Sequence, residues 1–294
     1  MPSAPVASRV RSGGVTLEVR EHSAAGPDRP TMVLVHGYPD RQDTWDTLVG
    51  ELPLERWHVV TFDVRGAGAS DAPAHREDYR TERLVDDLVA VLDAVLEPGE
   101  RAHLVGHDWG SVQLWDAVAA EASDPRLTGR IASFTSISGP SLDHTALLAR
   151  RPRGRRLALA RQLARSWYVG AFQVPVLPEL AWRAAAARIG QAVAAREGLP
   201  RDHWGPGLAD DAAHGLELYR ANLGRTGHPR AFRTDVPVLV VHPTRDRFLT
   251  EVLLEDLDQR CSDLRTERVD AGHWAIVTRA AEIAALVQDH VDRH

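Results

Sequence analysis

The chain contains no lysine; all 35 of its basic residues are arginine. That excludes a Schiff-base mechanism, a pyridoxal-phosphate anchor and a P-loop lysine. It has one cysteine, Cys261, so an intramolecular disulfide is impossible and a reducing compartment fits. Long apolar runs are also missing: none approaches the ~20 residues of a membrane span. Residues 1–9 lack the apolar core of a signal peptide. The expectation is a soluble, cytoplasmic protein, monomer or homodimer. A net charge of −6 gives no general attraction to nucleic acid or to an anionic membrane, and neither is expected as a partner. At 294 residues and 44% apolar, the chain suits one large α/β domain, or one domain carrying an insertion.

What is present is an alternation of strand and helix patterns. Residues 9–21 alternate around Gly13-Gly14 and read as a hairpin. Residues 31–36 and 58–62 are short continuous apolar runs, as in strands buried on both faces. Trp45, Leu48, Val49 and Leu52 predict a helix between them. Leu84, Val85, Leu88, Val91, Leu92 and Val95 recur at helical spacing. Residues 131–138, 236–242 and 264–269 read as further strands, and residues 280–291 as a closing amphipathic helix. This pattern argues a mainly parallel sheet covered on both faces. Gly66-Ala67-Gly68 lacks the third glycine of a dinucleotide fingerprint, because Asp71 stands there, and no helix opens at once. A structural turn is the reading for it.

Between residues 139 and 233 the strand runs stop. The stretch is helical in pattern, with scattered proline and many aromatics, and is too long for a loop. It predicts an inserted helical cap, leaving residues 1–138 and 234–294 as the core. The run Arg150-Arg151-Pro152-Arg153-Gly154-Arg155-Arg156 is short and is read as a solvated cap surface.

The centre of the chain is Gly106-His107-Asp108-Trp109-Gly110. It follows an apolar run and precedes a helical pattern in which Val112, Leu114, Trp115, Val118 and Ala119 fall mainly on one face. This has the form of a nucleophile elbow, with Asp108 where serine usually stands. A carboxylate there suits attack on a saturated carbon, giving an alkyl ester that water cleaves. The stretch also fits a tight turn with an N-cap aspartate. Asp108, Asp246 and His273 each follow a predicted strand, at the sheet edge where sites form. Their order is nucleophile, acid, histidine, the α/β-hydrolase triad order. Asp143 and Asp270 are the other carboxylates considered as the acid; Asp270 reads as a loop-capping residue. His103 and His107 lie ~13 Å apart if both sit on one strand, too far to share an ion.

Together these residues resemble the α/β-hydrolase superfamily and, within it, epoxide hydrolases with an aspartate nucleophile. The resemblance spans nearly the whole chain. It rests on His36-Gly37-Tyr38-Pro39, on Asp63-x-Arg65-Gly66-x-Gly68-x-Ser70, on the Asp108 elbow, on Asp246, and on Gly272-His273-Trp274. Residues 134–144 resemble bacterial epoxide-hydrolase-like proteins that sometimes carry a dehydrogenase domain behind the hydrolase; none is expected in this chain. The family resemblance implies an α/β-hydrolase fold, no cofactor or metal, and an epoxide and water as substrates.

It also implies roles. Opening an epoxide creates an alkoxide that needs a donor, and tyrosine can supply one. Trp167-Tyr168-x-x-x-Phe172-Gln173 and Leu218-Tyr219-Arg220-x-Asn222 match the two cap-tyrosine patterns, although each tyrosine also fits a core aromatic. The backbone N–H groups of Tyr38 and Trp109 are the implied oxyanion hole, with a cis bond before Pro39. His36, Pro39, Trp167, Phe172 and Trp274 are the implied pocket. The aromatic cap points to a bulky apolar or polycyclic epoxide of secondary metabolism. The core motifs are shared with haloalkane dehalogenases, for which Trp109 and Trp167 would be the halide donors. A hydrolase-fold binding protein without catalysis is the third reading.

Overall fold

The computed structural model describes residues 4–26, 28–223 and 229–294. Residues 1–3 and 27 of the predicted core and 224–228 of the predicted insertion therefore lie outside it. An eight-stranded sheet runs through the molecule in the order β1-β2-β4-β3-β5-β6-β7-β8. The strands are β1 (Val6–Ser12), β2 (Val15–Glu21), β3 (Thr31–Val35), β4 (His58–Phe62), β5 (Ala102–His107), β6 (Ile131–Ile137), β7 (Val238–Pro243) and β8 (Leu264–Val269). β1 and β2 form the expected hairpin, and β2 pairs antiparallel with β4. The other strand pairs are parallel.

Continuous apolar runs became strands because both sheet faces are covered. In β3, Val33 and Val35 enter one core with Val85, Leu88, Leu114 and Trp115. Met32 and Leu34 point the other way, among Trp45, Leu48, Ile283 and Val287. That is the period of two expected of a pleated strand. The first face is covered by α2 (Thr81–Val95) and α3 (Trp109–Ala120). The second carries α1 (Asp46–Val49), α9 (Ala275–Thr278) and α10 (Ala280–Val291). The helix expected around residues 45–52 is shorter than its pattern: a 3-10 turn, Gln42–Trp45, leads into four residues of α1. The pattern also gave α3 one apolar face, yet Trp109 to Val118 are all buried. This helix is enclosed on every side, so its polar members Ser111, Gln113 and Asp116 are buried as well.

Between β6 and β7 the chain leaves the sheet as α4 (Leu142–Arg150), α5 (Arg156–Arg165), α6 (Trp167–Phe172), α7 (Leu177–Glu197) and α8 (Leu208–Asn222). Asn222 fastens the end of this excursion: its side chain donates to Tyr79 O and Leu218 O and accepts from Thr81 N–H.

The turn from β5 into α3 is tightly packed. A Cβ on Gly106 would stand 2.6 Å from Ser111 Cα, and one on Gly110 would overlap the Val35 carbonyl. Neither obstacle is a flexible side-chain end, so the backbone itself would have to move. Gly110→Ala is expected to cost ~3 kcal/mol or more, seen as a drop of many degrees in melting temperature; a melting temperature within two degrees of the parent would refute the packing argument.

Candidate active site

Asp108 is the residue this corner presents. Its backbone is at φ 50°, ψ −122°, a conformation that non-glycine residues adopt only when the surroundings enforce it. The enforcement is visible: Asp108 N–H donates to Ile137 O at 3.0 Å, and Asp108 O accepts from Val112 N–H at 3.0 Å. The side chain projects beyond the strand ends. Tyr38 N–H donates to Asp108 Oδ1 at 2.8 Å, and His273 Nε2 lies 3.5 Å from Asp108 Oδ2. The Tyr38–Pro39 peptide is cis.

Asp246, after β7, and His273, after β8, meet behind Asp108. His273 Nδ1–H donates to Asp246 Oδ2 at 2.8 Å. Asp246 Oδ1 accepts from Phe248 N–H at 2.7 Å and Leu249 N–H at 3.0 Å. The alternative acids stand elsewhere: Asp143 pairs with Arg230, and Asp270 pairs with Arg245 at the surface.

The helical excursion closes over Asp108 and leaves a cavity of about 720 Å³. Asp108, His273, Tyr38, Pro39, Tyr168, Tyr219, Trp167, Phe172 and Trp274 all line it. Tyr168, at the start of α6, and Tyr219, near the end of α8, have ring centroids 6.1 Å apart. Tyr219 stands edge-on to Tyr38, Phe172 and Trp109 at 5.0–5.3 Å. Burial, then charged neighbours that include Asp108, pushes both phenols above the usual tyrosine range, so they remain protonated donors at neutral pH.

One predicted pocket residue is misplaced. His36 does not line this cavity, because both ring nitrogens are used by backbone: Nε2 accepts from Val64 N–H at 2.9 Å and Nδ1 bonds Gly37 O at 2.9 Å. It braces the loop carrying Tyr38. Trp109 is likewise not among the residues lining the cavity; it lines a separate small void with His36, and its ring stands edge-on to that of Tyr219.

The family model for the alpha/beta hydrolase fold matches residues 30–280. The chain belongs to the α/β-hydrolase fold family. It is 33% identical to the probable oxidoreductase EphD of Mycobacterium tuberculosis, with 99% of this chain and 50% of that protein covered. It thus spans about half the length of the first curated relatives it matches. The AB hydrolase superfamily protein YfhM of Bacillus subtilis is 27% identical over 96% of both chains. Among solved structures, an epoxide hydrolase of Bacillus megaterium superposes with a TM-score of 0.79 at 19% identity, covering 97% of this chain and 100% of the other. Epoxide hydrolase A of Mycobacterium thermoresistibile gives 0.76 at 24% identity, covering 98% of each. At these identities the superpositions speak for the fold.

On this α/β-hydrolase scaffold, several further residues support the site. Asp40 is buried and accepts from two indoles, Trp204 Nε1 at 2.6 Å and Trp274 Nε1 at 2.8 Å. Burial opposes its ionisation, but the neighbouring His203, His107 and Trp274 N–H hold it at about 2. Glu197, at the end of α7, is buried and accepts from His273 N–H at 3.0 Å. Arg165 donates to Asp246 O at 2.8 Å, and Gln162 donates to Phe248 O at 2.8 Å. The excursion therefore holds the backbone of both loops that carry the acid and the histidine. Only Asp40 had a signal in the sequence, its place directly after Pro39.

Burial alone would make the His273 imidazolium unfavourable. The Asp246 charge, followed by the hydrogen bonds to Asp108 and Asp246, outweighs it and holds His273 well above the usual histidine range. Asp246 is correspondingly lowered, mainly by His273 against its own burial. A raised pKa means the imidazolium persists as pH rises through 6.5 and is lost only at higher pH. Nitrogen-15 NMR of His273 is expected to show the protonated ring at pH 7. In Asp108→Asn, one anion is gone and the titration moves down; an unmoved titration would show that Asp108 does not share in holding the proton.

Proposed function

We propose that this chain is an epoxide hydrolase that works through an ester on Asp108. The observation that carries the reading is the position of that carboxylate: on a strained corner, beside a histidine–aspartate pair, and in one cavity with two phenols. The names of the relatives support it, since epoxide hydrolases recur among them, including an Epoxide hydrolase A of Mycobacterium tuberculosis 38% identical over 47% of this chain. In this reading residues 139–233 are a cap over a core of residues 1–138 and 234–294. No helix among the described residues is long and apolar enough to cross a membrane, and a cytoplasmic location suits the reaction.

The chemistry follows from the charges. An Asp108 oxygen attacks a ring carbon, the carbon–oxygen bond of the epoxide breaks, and the ring oxygen takes a proton from Tyr168 or Tyr219. The ester has no charge, so His273 loses one of the two anions that held its proton. That proton restores the phenol, and neutral His273 is left as the base. It takes a proton from water, whose oxygen attacks the Asp108 carboxyl carbon. The oxyanion develops where Tyr38 N–H already donates, with Trp109 N–H as the second donor. Collapse breaks the ester bond and frees a vicinal diol. The diol oxygen takes the proton from His273, and the new carboxylic acid returns one to it.

The lining is mostly apolar and aromatic, which favours a bulky apolar or aromatic epoxide. Haloalkane dehalogenation is less well supported. Its donors would be Trp109 and Trp167, but Trp109 is not among the residues lining the cavity and Trp167, which is, is 72% exposed. A binding protein without catalysis leaves the complete triad without a use.

Single turnover of styrene oxide in ¹⁸O-labelled water is expected to put the label into the Asp108 carboxylate. Label in the first-formed diol instead would mean direct attack by water. His273→Gln is expected to accumulate the ester, visible as an added substrate mass on the elbow peptide. Tyr168→Phe and Tyr219→Phe should each slow ester formation on the order of a hundredfold, because a preorganised donor to a developing alkoxide is worth ~3 kcal/mol. The double change should nearly abolish it, while leaving hydrolysis of a formed ester far less affected. Full activity in the double variant, or halide release from 1-bromobutane at a rate rivalling diol formation, would sink the assignment.

A further inference from the structure

The net charge of the chain conceals a strong segregation. Ten arginines and one acid, Glu179, lie between Arg150 and Arg196, a local charge of +9 in a chain whose total is −6. The acid does not neutralise its surroundings, because it is tied to Arg220 on α8. Arg155 pairs with Glu255 and Asp256 of the core. Arg151, Arg153, Arg156, Arg161, Arg183 and Arg188 are exposed.

The same stretch exposes apolar surface. Seven of the eight large apolar side chains exposed among the described residues fall between Leu157 and Leu180. Leu163 is 74% exposed, Trp167 72% and Leu177 65%. Trp167, Val174 and Leu177 also line the cavity, so this surface reaches the mouth of the site. Leaving so many apolar side chains in water on one region is unusual for a surface without a partner.

We propose that this face of the cap docks onto an anionic lipid bilayer. Arginine guanidiniums meet the lipid phosphates while Leu163, Trp167 and Leu177 enter the headgroup–acyl boundary, the division of labour of an interfacial protein segment. The contact is peripheral. A second copy is a poor occupant, because a two-fold interface would set two strongly positive patches against each other. Nucleic acid accounts for the arginines but not for the exposed leucines. Docking would turn the apolar cavity mouth towards the bilayer, the phase in which apolar solutes collect. It does not rest on the epoxide reading, and its test does not require activity.

The test is sedimentation of the whole chain with phosphatidylcholine vesicles, with and without about 30% phosphatidylglycerol, at low and high salt. Binding is expected to the anionic vesicles only, and to weaken with salt. Arg156→Glu with Arg161→Glu, and separately Leu163→Glu with Leu180→Glu, should each lower it at least tenfold. None of these four residues is placed in the reaction, and melting curves report whether the variants fold. Failure of the folded parent to bind anionic vesicles at low salt would overturn the proposal. So would equal binding to neutral vesicles, or retention by both folded variants. A dimer that dissolves in the leucine variant without lipid would instead make this face an interface between copies. Tight binding of duplex DNA that survives the leucine changes would make it a nucleic-acid surface. Either result also overturns the proposal.

Discussion

Everything at the site depends on one backbone corner. Asp108 is held at positive φ where β5 turns into α3, and the packing there leaves no room for a side chain on either flanking glycine. The strain persists because the strand and helix on each side are built into the core, so the corner cannot relax without unpacking the sheet. In return, the carboxylate stands clear of the strand ends, within reach of an amide on one side and an imidazole on the other. A serine at the same corner would serve acyl transfer; a carboxylate changes the chemistry without changing the scaffold.

The second constraint is electrostatic. His273 stands between Asp246 at 2.8 Å and Asp108 at 3.5 Å in a buried setting. Each carboxylate attracts the imidazolium while repelling the other, so the proton on His273 is held most firmly when both are charged. In the proposed reaction, esterifying Asp108 would remove one of the two anions beside the ring and so prepare the histidine for the second step. The loops that carry the acid and the histidine do not hold themselves in place. Arg165, Gln162 and Glu197, all from the helical excursion, bind their backbones. The segment that shapes the cavity therefore also fixes the positions of Asp246 and His273.

The excursion has two unlike sides. Inward it presents aromatic rings to the cavity; outward it presents arginines and leucines. The sheet and its covering helices carry the balancing acidic charge. A chain whose total is acidic can therefore still have one face that attracts anions, because the field near a surface follows local charge.

Much of this was determined by the sequence itself. Continuous apolar runs specify strands buried on both faces, and the hairpin and the last helix follow from period and turn residues. The elbow is a local pattern and the order Asp108, Asp246, His273 is read along the chain, so both are legible without coordinates; Tyr168 and Tyr219 stand in segments that resemble a family pattern. What only the tertiary structure decided depends on residues far apart in the chain. Ten consecutive residues of α3 are buried because other elements enclose them, which no helical period records. His36 faces backbone rather than the cavity because Val64 N–H and Gly37 O claim its ring. Asp40 with Trp204 and Trp274, and Glu197 with His273, are contacts between segments separated by up to 234 positions. Burial and partner identity at such sites arise from how the elements pack, and packing is not a property of any one stretch of sequence.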